Sequence, residues 1–238
     1  MTIELALIEQ PDDFPNPNEA LDDPNGLLGF GALLTQPLLK RAYYEGIFPW
    51  YNAGEPVFWW SPDPRAAFDP YNTLPSRNLR KRLRRRDFKV CINRSFSQVI
   101  SACASQQPNR PDTWITDEMQ HAYVRLHQSG LAHSFEVYNE DQLVGGLYGV
   151  SIGQMFFGES MFHRMTDASK IALFYLIKFA AFHQFAMIDC QMPNAHLLSL
   201  GAKEVSRNEF LRYLYQYRDS EMPSQLWNMR DITEDFEF

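Results

Sequence analysis

Two acids and an amide stand where the surrounding pattern is apolar. Glu159 lies inside Phe156-Phe157-Gly158-Glu159-Ser160-Met161-Phe162, and Asp189 and Gln191 sit two apart in Ile188-Asp189-Cys190-Gln191. A carboxylate taken out of water is costly unless a charge or hydrogen bonds meet it. If both segments are strands, period-two geometry puts Asp189 and Gln191 on one face, and neighbouring strands bring Glu159 to them. Such a set can orient a polar reacting group or exchange a proton with it. It can equally be a structural network bonded to backbone, and the residues leave both readings open.

A second feature is electrostatic. Arg77 to Arg86 hold seven of the 22 Lys and Arg residues in a chain of net charge −7, with no acid among them. On a helix, Arg77, Arg80, Lys81, Arg84 and Arg85 share one face, while Leu79 and Leu83 point the other way. Ser76 is the expected N-cap. A basic ridge on an acidic protein suits a polyanion such as nucleic acid; the bland reading is a solvated charged face. The aromatics Trp50, Trp59, Trp60 and Trp114 are core residues or, beside such a ridge, stacking surfaces for unpaired bases.

The elements that must position these groups follow from patterning. Thr35-Gln36-Pro37 opens a helix that Gly46 closes. The stretch from Gly46 to Arg65, dense in Pro and Trp, is expected to be a rigid aromatic loop joining two domains, 1–63 and 64–238. Gly26-Leu27-Leu28-Gly29-Phe30-Gly31 is expected to be a simple turn rather than a phosphate cradle. Beyond residue 66 the pattern predicts the basic helix at 76–86, a strand at 88–92, and a helix with Phe96, Val99, Ile100 and Cys103 inward. A helix from Thr116 to Gly130 comes next, then a meander over 133–138, 143–152 and 154–162. The long helix at 168–182, a strand at 187–191 and a helix at 207–217 complete the order; 218–238 is weakly patterned apart from Trp227. The fold class is α+β, a mixed sheet covered by helices.

Composition excludes some classes. Apolar content of 45% rules out disorder. Three cysteines, Cys91, Cys103 and Cys190, have no metal-ligand spacing and fit reduced thiols. The apolar stretch 171–188 is interrupted by Lys178, His183 and Gln184, so a buried helix is expected rather than a membrane span. No leader pattern opens the sequence, and a cytoplasmic protein is expected. Walker, His-Glu-x-x-His and Cys-x-x-Cys motifs are absent.

Several blocks together resemble the leucyl/phenylalanyl-tRNA–protein transferase family. They are Pro24-Asn25-Gly26-Leu27-Leu28, Ala42-Tyr43 with Gly46-Ile47-Phe48-Pro49-Trp50, and Trp59-Trp60-Ser61-Pro62-Asp63-Pro64-Arg65. Thr113-Trp114-Ile115-Thr116, Gly158-Glu159-Ser160-Met161-Phe162, Ala168-Ser169-Lys170 and Asp189-Cys190-Gln191 continue them in family order. The resemblance implies a C-terminal domain similar to the GNAT acetyltransferase fold. It implies transfer of Leu, Phe or Met from aminoacyl-tRNA to proteins with N-terminal Arg or Lys, with no cofactor, metal or membrane. By resemblance, Asp189, Gln191 and Glu159 are catalytic, and Leu147, Phe156, Met161, Leu173, Leu176 and Ile188 form the aminoacyl side-chain pocket. Tyr43, Trp50 and Trp114 are expected to contact the terminal adenosine, and Arg77, Lys81, Arg84 and Arg85 the tRNA phosphates. The rivals are an acetyl-CoA-dependent acetyltransferase and a non-enzymatic RNA-binding protein. The first would need a glycine-rich cradle where this chain has His163-Arg164-Met165-Thr166-Asp167-Ala168.

Overall fold

The computed structural model describes residues 5–31, 33–105 and 114–238. The first part of the chain builds a four-stranded sheet. β1 (Ala6–Ile8) pairs in parallel with β2 (Leu27–Gly31). Helix α1 (Gln36–Glu45) starts at Thr35, whose hydroxyl accepts the Leu38 N–H, and ends at Gly46, φ 80°. The short β3 (Phe48–Pro49) and β4 (Val57–Trp60) close the sheet in the order β1-β2-β4-β3.

Two expectations are corrected here. Residues 27–31 are a strand, not a turn, and their glycines serve close strand approach: a Cβ on Gly31 would lie 2.3 Å from the Ile8 carbonyl oxygen. The aromatic run at 57–60 is also a strand, with Val57 and Trp59 buried and Phe58 and Trp60 half-buried. That alternation is a period-two signal, masked in the sequence by the prolines around it.

From β5 (Arg65–Phe68) onward the chain forms an eight-stranded sheet. Next come α2 (Arg77–Arg85), β6 (Lys89–Ile92), α3 (Phe96–Ala104) and α4 (Asp117–Gln128). The meander is β7 (Ala132–Asn139), β8 (Gln142–Ile152) and β9 (Met155–His163). Helix α5 (Ala168–Phe182) then crosses to β10 (Met187–Asp189). The chain continues with α6 (Ala195–Ser199), β11 (Lys203–Val205), α7 (Arg207–Tyr217) and β12 (Arg230–Asp231). Strand order is β11-β5-β10-β9-β8-β7-β6-β12. Every neighbouring pair is antiparallel except β9 and β10, whose parallel pairing needs the crossover that α5 supplies.

Each face of the large sheet is covered. One carries α5, with Leu79 and Leu83 of α2 and the late residues Leu226, Ile232 and Phe236 packed beside it. Trp227 is packed there too, 5.0 Å from the Phe179 ring and 5.9 Å from Phe156, so the weakly patterned segment 218–238 is anchored in the core. The other face carries α1, α3, α4, α7 and the small sheet in one continuous core that includes Tyr43, Trp59, Tyr123, Phe157 and Phe210. No helix among the described residues is long and apolar enough to cross a membrane.

Candidate active site

The site begins with an irregularity in β9. Gly149 pairs with Gly158 and Tyr148 with Ser160, leaving Glu159 as the extra residue of a β-bulge. The bulge reverses the face order. Phe157 and Phe162, five residues apart, join the same core, whereas strict alternation would separate them. Glu159 is therefore turned toward α1 and α4. The Tyr123 hydroxyl donates to its Oε2 at 3.0 Å, and the Gln191 amide Nε2 donates to its Oε1 at 2.8 Å. Tyr43 and Tyr123 share a hydrogen bond between their hydroxyls. Burial pushes the Glu159 carboxyl up to about 7; the tyrosine hydroxyls and Arg65 oppose that rise, and the Asp189 charge adds to it.

Gln191 reaches this position because β10 stops early. The expected strand over 187–191 ends at Asp189, and Gln191 takes a left-handed conformation, φ 56°. Period two thus does not relate the two side chains. Asp189 is fully buried and does not line the pocket described below. Its Oδ1 accepts from Arg65 Nε at 3.0 Å, its Oδ2 accepts from Arg65 Nη2, and the Gln191 backbone amide also faces it. Burial raises the Asp189 carboxyl, and the Arg65 charge and hydrogen bonds counter that rise.

Arg65 also donates from Nη1 to the Gly46 carbonyl at 3.2 Å and lies over the Phe210 ring at 4.2 Å. Beside it, Ala66 bonds to the Cys190 N–H (2.7 Å) and the Gln191 carbonyl (2.9 Å). One end of β5 thus fixes the turn that aims Gln191 at Glu159. Arg65 and Tyr123 are the site residues that sequence reasoning did not assign. A lone Arg opening an apolar run was the available signal for the first; nothing distinguished the Tyr123 hydroxyl from a core ring.

A cavity of about 350 Å³ opens beside this pair. Leu147, Met161, Leu173, Leu176 and Ile188 line it, and Glu159, Gln191 and Trp114 stand with them. Phe156 does not. It is fully buried deeper in the core on the α5 side, its ring packed against Phe135 and Trp227. Cys190 lines the cavity as a thiol, its pKa raised by burial and by the Asp189 charge.

Of the three expected adenosine contacts, only Trp114 lines the cavity. Tyr43 has no exposed surface, so it acts behind Tyr123 rather than on an open base-binding face. Trp50 is 37% exposed but sits apart, its ring 5.6 Å from Trp60, whose indole N–H donates to the Trp50 carbonyl at 2.7 Å. Thr113 lies outside the described residues. No group of three or more His, Cys, Asp or Glu among the described residues is placed to hold a metal ion.

The basic helix has the predicted face. Ser76 caps α2 by accepting the Leu79 N–H, and Leu79 and Leu83 are buried. The late segment engages several charges: Arg86 pairs with Glu234 and Glu237, and Arg84 Nε donates to the Phe238 carbonyl. Arg82 pairs with Asp87 and lies over Phe88. Arg77, Arg80, Lys81 and Arg85 have no ion-pair partner among the described residues. Arg84, expected on the phosphate-binding face, is thus tied to the chain itself.

Residues 68–215 match the family described as leucyl/phenylalanyl-tRNA protein transferase, and residues 32–63 match its N-terminal domain. The chain is 47% identical over 232 residues to the leucyl/phenylalanyl-tRNA–protein transferase of Shewanella frigidimarina, covering 98% of this chain and 99% of that one. It is 49% identical to the Vibrio parahaemolyticus protein of the same name, covering 94% of each chain. Among solved structures it is similar to L-PGS from Bacillus licheniformis at 12% identity and a TM-score of 0.41, over 86% of this chain and 66% of that one. The chain belongs to the leucyl/phenylalanyl-tRNA–protein transferase family.

Proposed function

We propose that this chain transfers Leu, Phe and, to a lesser extent, Met from aminoacyl-tRNA to the α-amine of proteins with N-terminal Arg or Lys, marking them for degradation in the cytoplasm. The observation that carries this reading is the pairing of an apolar cavity of about 350 Å³ with a hydrogen-bonded Glu159–Gln191 pair at its wall. An apolar side chain enters the cavity, and its carbonyl is left beside the polar pair. Such a cavity discriminates by only ~1–3 kcal/mol per methylene, so its shape must reject β-branched side chains.

The transfer needs little covalent help from the protein. The amine nitrogen attacks the ester carbonyl carbon, a C–N bond forms and the ester C–O bond breaks. The amine's proton leaves, and the departing ribose oxygen ends as a hydroxyl. An α-amine has a pKa of roughly 7.7–8.0, so part of it is already neutral near pH 7. Orientation is the main task, and it offers effective-molarity gains of ~10⁵ M or more.

Gln191 spends its amide N–H on Glu159, which leaves its Oε1 to accept from the incoming amine. An amide is too weak a base to take the proton, so Gln191 positions. Glu159, titrating near 7, attracts the cationic acceptor and holds Gln191. Asp189 acts from behind, through Arg65 and the Gln191 backbone. Trp114 stands at the cavity for the terminal adenosine, and the α2 ridge receives phosphates.

A GNAT-like catalytic domain fits the β7–β8–β9 meander, the α5 crossover and the parallel β9–β10 pair that parts at the site. Coenzyme A is disfavoured because His163-Arg164-Met165-Thr166-Asp167-Ala168, ahead of α5, supplies no glycine cradle for a pyrophosphate. Incubation with phenylalanyl-tRNA and a peptide bearing N-terminal Arg tests the proposal, with acetyl-CoA as the competing donor. Phenylalanyl-peptide is the expected product. Acetylated peptide, or RNA binding without any product, overturns it.

A further inference from the structure

We infer that the groove joining the basic ridge to the apolar cavity binds the single-stranded 3′ end of the donor RNA by its sugar-phosphate backbone and base faces. This rests on the proposed transfer from aminoacyl-tRNA. A concavity of about 630 Å³ lies between the first turn of α2 and the helices α5 and α6. At one end it meets Ser76 and Asn78, where the ridge begins; at the other it meets His196, which also lines the 350 Å³ cavity. A duplex held on Arg77, Lys81 and Arg85, with its aminoacyl group in the cavity, must lay the unpaired nucleotides across this space.

The lining suits that occupant. Ser76 uses its hydroxyl oxygen to accept from Leu79, so its O–H remains to donate outward. Lys170 gives one N–H to Asp167 at 3.0 Å and keeps two, with its side chain 38% exposed. Among the described residues Asp167 is the one acid on the groove wall, and that same bond offsets its charge. His196 is held toward its neutral form by burial and by the nearby Lys170 and His163, so it offers a ring N–H without a charge. Leu74 and Leu198 are 67% and 40% exposed on the groove walls, which gives base faces apolar surface to rest on. Contacts of this kind carry little sequence information, as an enzyme selecting by the amino acid requires.

Lys170→Met and Leu198→Ser test the assignment, because neither residue lines the apolar cavity. Three donors are compared in the full-length protein: phenylalanyl-tRNA, a phenylalanyl-CCA trinucleotide and phenylalanyl-adenosine, which has no phosphodiester. KM is expected to rise about five- to tenfold for the first two, with kcat within twofold, and to stay unchanged for the third. For Lys170→Met the slope of log affinity against log salt should fall by ~0.7 with the trinucleotide. Unchanged KM for the trinucleotide, or an equal rise with phenylalanyl-adenosine, overturns the groove assignment. Turnover of phenylalanyl-adenosine by each variant shows that it has folded. If the unmodified protein transfers from none of the three donors, the proposed function itself has failed.

Discussion

Glu159 titrates near 7 because the bulge turns it toward two tyrosine rings at the cavity wall, where it is poorly solvated, and that position has a cost that depends on pH. The unfolded carboxyl titrates near 4.5, so between 4.5 and 7 the folded state holds a proton that the unfolded state has released. Stability is therefore greatest below 4.5 and declines as pH rises through 7, by up to roughly 3 kcal/mol. Glu159→Gln should raise stability by ~1–3 kcal/mol at pH 8 and by much less at pH 5. Urea unfolding at the two pH values measures this, and an equal gain at both contradicts the assignment. The same variant should lose the step near pH 7 in the rate profile, keeping only that of the amine.

Arg65 gives the complementary case. Arg65→Met strands a buried carboxylate and should cost ~3–5 kcal/mol. Arg65→Met with Asp189→Leu should recover most of that loss, since an apolar pair replaces an ion pair in a dry site. Transfer by the double variant should stay depressed by roughly 100-fold, because the turn holding Gln191 has lost its anchor. Full activity in the double variant would remove the positioning role.

At the scale of the element, α2 separates charges by where they point. Arg77, Arg80, Lys81 and Arg85 face outward, while the segment 232–238 and Asp87 engage Arg82, Arg84 and Arg86. On a duplex, each phosphate that a basic side chain neutralises adds ~0.9 to the salt slope of binding. Arg85→Ala should therefore lower the slope by about that amount, and Arg82→Ala should leave it unchanged. Titrations of tRNA between about 50 and 200 mM salt distinguish the two. Helix spacing revealed the face, since 3.6 residues per turn is a local property. It carried no information on which arginines another part of the chain neutralises.

For the whole molecule, the telling observation is the core shared by the two sheets. Trp59 of the small sheet and Phe157 and Phe210 of the large part lie in one buried cluster, and Arg65 binds both the Gly46 carbonyl and Asp189. Two units joined this way should unfold together. Tryptophan fluorescence and far-UV circular dichroism are expected to give coincident urea transitions. A separate early transition in fluorescence would show that the small sheet unfolds alone.

The amino-acid sequence determined what is local. Capping residues and periodicity placed α1, α2, α5 and α7, and alternation placed the meander, because each signal lies within a turn or two of the element it describes. It also marked Glu159, Asp189 and Gln191 as polar groups in apolar settings. Tertiary structure alone decided what those groups do. A bulge in β9 needs its partner strand to be defined, and the turn at Gln191 is held by β5, a strand far earlier in the chain. Asp189 met Arg65 and Glu159 met Tyr123 across separations over which periodicity carries nothing. Burial raises both carboxyls, and only beside Asp189 does a buried arginine bonded to both oxygens oppose it, a difference that packing alone sets.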